Sequence, residues 1–182
     1  MTKTMDPILN TKETFIQKMS SKKALFLTAL LACIGDQWVK QLVVKNLSPH
    51  QPIPLIPNIF QLNLVYNKGA AFSMLSSNPE VLILIASALC LGLLAYSVFQ
   101  QMMSKLEKIA LGLMLGGAVA NLIDRLTLGQ VIDYLDVVAI HYPIFNLADC
   151  CICIGAGLLA LTHLGLFSVN KPPQNKELDH KS

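Results

Sequence analysis

Charged residues are scarce in this chain of 182 amino acids. Asp, Glu, Lys and Arg together account for 14% of the sequence, whereas hydrophobic residues account for 53%. A chain so poor in charge does not suit a soluble domain, and we expect an integral membrane protein. The formal net charge of only +3 gives no indication of a nucleic-acid partner.

Signatures of metal and disulfide sites are also missing. The sequence has no H-E-x-x-H pattern, and its four histidines fall in segments that we expect on opposite sides of the membrane. All five cysteines lie in apolar runs, where free cysteine behaves as a small buried hydrophobic residue. We therefore expect no metal, no other cofactor and no disulfide.

The sequence does contain apolar runs that are long enough to cross a bilayer. About twenty helical residues at roughly 1.5 Å each span a hydrocarbon core of about 30 Å. The third run repeats small residues at Gly112, Gly116 and Ala120, a spacing that lets transmembrane helices approach closely. The predicted fold class is an α-helical integral membrane protein with one domain over residues 24–167. Its four predicted transmembrane helices lie at about 24–44, 81–100, 109–125 and 144–167.

Two segments between the predicted spans have a different character. Residues 46–78 contain four prolines in their first part, which exclude a helix there. Apolar and polar side chains then alternate from Phe60 to Asn67, which predicts a strand in a small β element on the membrane surface. Residues 127–143 are too polar to span the membrane, and we predict an amphipathic segment at the interface.

The basic residues predict the orientation in the membrane. Ten of the fourteen Lys and Arg side chains lie in the tail 1–23, the loop 101–108 and the tail 168–182. Positively charged segments stay on the cytoplasmic side, so we expect a basic N-terminal tail and a polar C-terminal tail in the cytoplasm. The β element and the interfacial segment then lie toward the extracytoplasmic face.

Acidic residues beside the predicted spans are the main functional signal. Four of the eleven acids, Asp124, Asp133, Asp136 and Asp149, lie between residues 116 and 149. An ionisable group within a membrane span is costly and marks a functional site by default. These carboxylates therefore need either a structural partner or a chemical role.

Two acids have possible partners close by in the sequence. Asp36 precedes Lys40 by four residues, which is the favourable order for an ion pair on a helix, and Gln37 shares their polar arc. Asp124 is adjacent to Arg125, and we expect a local ion pair that holds the helix end. Structural roles are favoured over catalysis for both acids.

Asp133 and Asp149 lack partners of this kind. Two carboxylates brought together at a half-dry site cannot both ionise easily, so they share one proton. That arrangement suits aspartic-protease chemistry, in which one carboxylate activates water and the other protonates the peptide carbonyl or leaving nitrogen. Asp136 follows Asp133 by three residues and would face the same way on a helix, and its role stays open.

Two other classes of function would use the same features. A proton or ion carrier would use the membrane-layer carboxylates, but carriers place such groups near the bilayer midplane between repeated halves. We find neither an internal repeat nor a midplane acid in the sequence. A non-catalytic membrane assembly factor would instead bind a partner through the β element.

Five sequence blocks occur in a familiar order. They are DQWVK at 36–40, NKGAAF at 67–72, GGAVANLIDR at 116–125, VIDYLD at 131–136 and FNLAD at 145–149. Together they resemble the bacterial lipoprotein signal peptidase family, also called type II signal peptidase, over about residues 24–167. The resemblance implies a four-helix membrane aspartyl endopeptidase of the bacterial inner membrane. Such an enzyme cleaves the signal peptide of a prolipoprotein just before a cysteine that carries a diacylglyceryl group.

The resemblance also implies a set of site residues. The catalytic pair falls on Asp133 and Asp149, and the family's surface helix falls on about 127–143. Tyr134 stands where Phe is usual in the family. We expect diacylglyceryl-prolipoproteins and membrane lipids as partners, and a monomer. The site-lining positions are Asn67, Gly69, Asn121, Arg125 and Asn146, and the supporting positions are Asp36, Lys40, Asp124 and Asp136.

Overall fold

The computed structural model describes residues 22–69, 78–100 and 102–166. Residues 1–21 of the predicted N-terminal tail, the predicted C-terminal tail and residues 70–72 of the NKGAAF block therefore lie outside the described residues. The described chain is mostly helical with one small sheet, as the sequence predicted. In chain order, its elements are α1 (Lys23–Asn46), β1 (Ile53–Ile56), β2 (Phe60–Asn67), α2 (Pro79–Phe99), α3 (Lys105–Leu128), β3 (Val131–Asp136), a 3-10 turn (Val138–Ile140) and α4 (Leu147–His163).

Three of the described helices, α1, α2 and α3, are long and apolar enough to cross a membrane. The fourth, α4, is a shorter apolar helix of 17 residues. Helix α3 begins with a capping box between Ser104 and Glu107 and ends at Gly129, whose φ of 69° is a conformation that glycine adopts at no steric cost. These signals lengthen α3 at both ends relative to the predicted span at 109–125.

Helix α3 is the centre of the bundle and contacts the other three helices. At Gly112 and Gly116, a β-carbon would collide with the backbone carbonyls of Leu25 and Ala29 on α1. Gly117 is equally close to α4. The predicted close approach along the small-residue repeat is therefore present, and α1 and α4 pack on neighbouring faces of α3.

The three strands form one antiparallel sheet in the order β1-β2-β3. Strand β2 coincides with the strand that the alternating pattern predicted, and it carries a bulge between Leu62 and Val65. The sheet packs on the end of α1, where Leu64, Ile132 and Tyr134 surround Val43. This packing holds β3 against the ends of the helices.

Residues 127–143 do not form the single amphipathic segment that the sequence predicted. Helix α3 continues to Leu128, and Val131–Asp136 is the third strand of the sheet. The first four residues of β3 are buried, because the strand lies between β2 and the helices. Successive strand side chains point to opposite faces, so Asp133 and Asp136 face away from each other rather than the same way.

The predicted N-terminal tail extended to residue 23, but Lys22 packs against the helices. Its side chain is only 4% exposed. Its Nζ donates to the carbonyl oxygens of Ser97 at 2.5 Å and Val98 at 2.7 Å, near the C-terminal end of α2. A cation is favourable at that end of a helix dipole, so Lys22 joins the start of α1 to the end of α2.

Candidate active site

Asp133 lies on β3 in a nearly dry position, with 3% of its surface exposed. Each of its carboxylate oxygens accepts one hydrogen bond from a carboxamide. Asn146 Nδ2 donates to Oδ1 at 2.7 Å, and Asn67 Nδ2 donates to Oδ2 at 2.8 Å. Asn67 is itself held by the backbone N–H of Gly69, which donates to its Oδ1 at 2.9 Å.

Asp149 lies in the first turn of α4 and is held by the start of that helix. Asn146 is the N-cap, and its Oδ1 accepts the Asp149 backbone N–H at 2.9 Å. In return, Asp149 Oδ2 accepts the Asn146 backbone N–H at 3.1 Å, which completes a capping box. Asn121 of α3 donates its Nδ2 to Asp149 Oδ1 at 2.8 Å.

The fully buried side chain of Asn146 joins the two acids. Its Oδ1 caps the turn that carries Asp149, and its Nδ2 reaches Asp133 and, at 3.1 Å, Asn121 Oδ1. All four oxygens of the two carboxylates therefore have a donor in one continuous network. Four positions that the resemblance named as site-lining belong to this network: Asn67, Gly69, Asn121 and Asn146.

A buried ionic cluster lies behind this network. Lys40 is 1% exposed, and its Nζ lies 2.7 Å from Asp36 Oδ2 and 2.7 Å from Asp124 Oδ2. The predicted pair of Asp36 and Lys40 is thus present. Asp36 also accepts the backbone N–H of Ala148 at 2.8 Å, which fixes the first turn of α4 against α1.

Asp124 does not form the local ion pair with Arg125 that the sequence predicted. Its partners are Lys40, the Ile132 backbone N–H at 3.2 Å and Gln37, whose Nε2 donates to Oδ1 at 2.7 Å. The reason is geometric, because adjacent residues on a helix point about 100° apart. Gln37 was not predicted from the sequence as a partner of Asp124. Its position on the polar arc of α1, beside Asp36 and Lys40, was the feature that could have indicated this role.

Arg125 points toward the carboxylate pair instead. Its half-buried guanidinium donates from Nη1 to the Asn121 carbonyl oxygen at 3.3 Å. It interacts electrostatically with Asp133 and Asp149 more than with Asp124. A cation therefore stands beside the two acids.

Asp136 lies apart from the network. Its Oδ2 accepts hydrogen bonds from Gln61 Nε2 at 2.7 Å and Asn63 Nδ2 at 3.2 Å, both on β2. These partners are separate from those of Asp133, in agreement with the opposite faces of the strand. Asp136 therefore holds β3 to β2 and takes no part in the carboxylate network.

The electrostatic environment gives Asp133 the character of an acid near neutral pH. The pKa of Asp133 is raised to about 7, chiefly by burial. The hydrogen bond from Asn67 opposes this rise, and the negative charge of Asp149 contributes to it. Burial similarly raises the pKa of the Tyr134 hydroxyl, whose oxygen accepts the Leu147 backbone N–H at 3.3 Å. A protonated Asp133 beside Asp149 is the arrangement that general acid–base catalysis requires.

Within the described residues, no group of three His, Cys, Asp or Glu side chains is arranged to hold a metal ion.

A family model described as signal peptidase (SPase) II matches residues 28–165, which is more than half of the chain. The chain belongs to the signal peptidase II family. It is therefore a membrane peptidase that removes signal peptides, and the resemblance based on the five sequence blocks is confirmed.

Relatives of this signal peptidase II chain match it over nearly their whole length. The lipoprotein signal peptidase of Syntrophotalea carbinolica is 41% identical over 150 residues, which cover 79% of this chain and 92% of the relative. The lipoprotein signal peptidase of Bacillus subtilis is 39% identical over 141 residues, which cover 76% and 92% respectively. A solved bacterial membrane enzyme superposes with a TM-score of 0.72 at 27% identity, over 84% of this chain and 94% of its own.

Proposed function

We propose that this signal peptidase II chain is an aspartyl endopeptidase whose catalytic pair is Asp133 and Asp149. The observation that carries the proposal is the single hydrogen-bond network that supplies a donor to every oxygen of the two carboxylates. One residue, Asn146, holds both acids, because its side chain donates to Asp133 and its backbone N–H donates to Asp149. Two carboxylates held in this way can share a proton, and the raised pKa of Asp133, about 7, supports a protonated form at neutral pH.

The proposed reaction begins with a water molecule between the carboxylates. One ionised carboxylate takes a proton from the water, and the water oxygen attacks the carbonyl carbon of the scissile peptide bond. The protonated carboxylic acid gives its proton to the carbonyl oxygen, which yields a neutral tetrahedral intermediate. The carbon–nitrogen bond then breaks as the leaving nitrogen takes the proton that came from water, and the oxygen returns its proton to the pair.

Arg125 has a suitable place in this scheme. A guanidinium carries five N–H donors, and only Nη1 is engaged with the Asn121 carbonyl oxygen among the contacts of the described residues. Donors beside the pair can orient the substrate backbone or stabilise the oxygen on which negative charge develops. The amide nitrogens of the asparagines, by contrast, already donate hydrogen bonds to the two acids.

The proposed substrate is a prolipoprotein whose cysteine carries a diacylglyceryl group, cleaved on the N-terminal side of that cysteine. The name of the two relatives, lipoprotein signal peptidase, supports this class of substrate. Acyl chains hold such a cysteine in the bilayer with about 0.8 kcal/mol for each buried CH₂. The scissile bond is thus presented near the headgroups, a level that suits a site built where α3 ends, α4 begins and the sheet packs.

We further propose that this site faces the extracytoplasmic side of the bacterial inner membrane, with both termini in the cytoplasm. The concentration of Lys and Arg in residues 1–23, 101–108 and 168–182 supports this orientation. A proton or ion carrier is not favoured, because Asp133 belongs to a strand outside the membrane helices rather than to a midplane site.

The proposal is tested with purified Asp133→Asn and Asp149→Asn, incubated with a diacylglyceryl-modified prolipoprotein while release of the signal peptide is followed on a gel. Each variant keeps the shape of its side chain and removes the ability to exchange the proton, so we expect loss of cleavage with retention of the fold. Glu80→Gln is the matched control, because Glu80 is exposed in the first turn of α2, and it should cleave at the wild-type rate.

Two additional arms complete this experiment. The unlipidated prolipoprotein should be cleaved far more slowly than the lipidated form, and a chelator should leave the wild-type rate unchanged. Full activity in either Asp→Asn variant would remove that residue from the pair and make Asp124 the next candidate. Equal rates on the two substrates would show that the diacylglyceryl group is not recognised.

A further inference from the structure

The side chain of Lys40 is joined to the carboxylate pair by a single amide. Its Nζ contacts Asp36, Asp124 and, at 2.9 Å, the Oδ1 atom of Asn121. An ammonium group has three N–H donors and no acceptor, so these three contacts use its full capacity. Lys40 therefore stands one residue away from Asp149.

The contact with Lys40 determines which way the Asn121 amide points. An ammonium can only donate, so the atom that faces Lys40 must be the amide oxygen. The amide nitrogen of Asn121 then faces Asp149 and donates to its Oδ1 at 2.8 Å. This donor can stabilise an ionised Asp149, and the adjacent cation polarises it further.

The donors to Asp133 are anchored differently. Asn67 and Asn146 present their amide nitrogens to Asp133 because their oxygens accept the backbone N–H groups of Gly69 and Asp149. No cation anchors either amide among the contacts of the described residues. Asp133 is also 3% exposed, whereas Asp149 is half-buried. The two members of the pair are thus unequal, because burial disfavours negative charge on Asp133 more than on Asp149. Arg125 interacts with both acids, so burial and the anchoring of the donors are what distinguish them.

We propose that Lys40 is a positioning residue that acts through Asn121 to keep Asp149 ionised, so that the proton of the pair resides on Asp133. The proposal rests on the proposed function and assigns the two roles within it. Asp149 takes the proton from water, and Asp133 donates its proton to the scissile carbonyl oxygen. The other charged or titratable groups near the pair are Asp36 on α1, Asp124 and Arg125 on α3, Tyr134 on β3 and Cys150 on α4.

The first test is the pH profile of kcat for Asn121→Ala. This change leaves the contacts of Lys40 with Asp36 and Asp124 in place and removes the donor to Asp149. Because the ionised base, Asp149, loses a hydrogen bond, we expect the acid limb of the profile, where kcat falls at low pH, to move to higher pH by about one unit. Asn121→Ser, whose hydroxyl is too short to replace the amide bridge, provides the same readout if the alanine variant does not fold.

The matched control is Gln37→Ala. Gln37 also sits on the polar side of the bundle and donates one amide hydrogen bond to the ionic cluster, at Asp124 Oδ1. It lacks a contact with either member of the pair among the described hydrogen bonds. We therefore expect Gln37→Ala to lower the melting temperature and leave the acid limb at its wild-type position.

A second variant removes the cation without leaving buried carboxylates unpaired. Combining Lys40→Met with Asp36→Asn removes one positive and one negative group, so the net charge of the cluster is unchanged. Asp124 keeps its donors from Gln37 and the Ile132 backbone N–H. Because only the cation next to Asn121 is lost at constant net charge, the acid limb should again move to higher pH. If activity falls equally at every pH in the Asn121 variants while the acid limb stays in place, Lys40 and Asn121 only hold the fold and the proposal is wrong. That result would leave the catalytic pair intact, whereas activity in Asp133→Asn or Asp149→Asn would overturn the proposed function itself.

Discussion

Asn146 serves both the stability of α4 and the geometry of the catalytic pair, and two substitutions separate these contributions. Its Oδ1 caps the helix by accepting the Asp149 backbone N–H, and its Nδ2 donates to Asp133 at 2.7 Å. Asn146→Ala removes both interactions. Asn146→Ser keeps a good N-cap and removes Nδ2, which donates to Asp133 and also contacts Asn121 Oδ1 and the Ile132 carbonyl oxygen.

The expected losses follow from the two contacts. Loss of an N-cap costs about 1 kcal/mol, and loss of a hydrogen bond to a buried carboxylate costs about 2 kcal/mol. We expect Asn146→Ala to lower the free energy of unfolding by about 3 kcal/mol and Asn146→Ser by about 2 kcal/mol. For a chain of this size, these losses lower the melting temperature by roughly 6–12 °C and 4–8 °C.

Activity should follow a different pattern from stability. Both variants release Asp133 from its position, and a misplacement of about 1 Å can reduce the rate about 100-fold. We therefore expect both to lose about two orders of magnitude in kcat, measured with a lipidated prolipoprotein at a temperature where each variant is folded. If Asn146→Ser recovered activity in proportion to its stability, Asn146 would act only as a helix cap, and the reasoning would be refuted.

Three further predictions concern pH, Asp136 and helix packing. Because the pKa of Asp133 is about 7, the pair keeps its proton below that pH and loses it above. The value of kcat/KM should therefore fall as the pH rises through about 7. A kcat/KM that stays constant well above that pH would contradict the assignment of the proton to the pair. Asp136→Asn should cleave within about twofold of wild type, since Asp136 contacts only β2 side chains, and a large loss would place it in the reaction. Gly116→Ala should lower the free energy of unfolding by about 1–3 kcal/mol, because the added methyl group overpacks against the Ala29 carbonyl. Gly92 has open space around it, so Gly92→Ala should leave the melting temperature unchanged. Equal melting temperatures for the two variants would contradict the contact between Gly116 and Ala29.

The helices were predictable because each depends on local composition. Hydropathy alone located the apolar runs, and helix caps such as Ser104 and Gly129 then fixed the ends of α3. Strand β2 was also visible, since apolar and polar side chains alternate along its sequence. Strand β3 was not, because VIDYLD is buried on both faces at its start and its two acids have the spacing of a helix.

In the site, too, contacts within one helix could be predicted from the sequence, whereas contacts between different elements could not. The ion pair of Asp36 and Lys40 follows from four-residue spacing on a helix, and the structure contains it. The partner of Asp124 depends on how α1 packs against α3, which residue spacing does not encode, so the adjacent Arg125 was the wrong choice. The lack of local partners left Asp133 and Asp149 as candidates, and the resemblance to a family assigned them as a pair. Residue spacing alone could not show that they meet, because β3 and α4 approach each other through tertiary packing.

The most direct test of the central claim compares the rates of Asp133→Asn, Asp149→Asn and the double variant under single-turnover conditions. Residues that act as one catalytic unit are strongly non-additive, so that removing either costs about as much as removing both. We predict that each single variant falls to the rate of the double variant, with all three folded to the same degree as Glu80→Gln. Two partial losses that multiply in the double variant would show independent contributions, and would contradict a catalytic pair formed by Asp133 and Asp149.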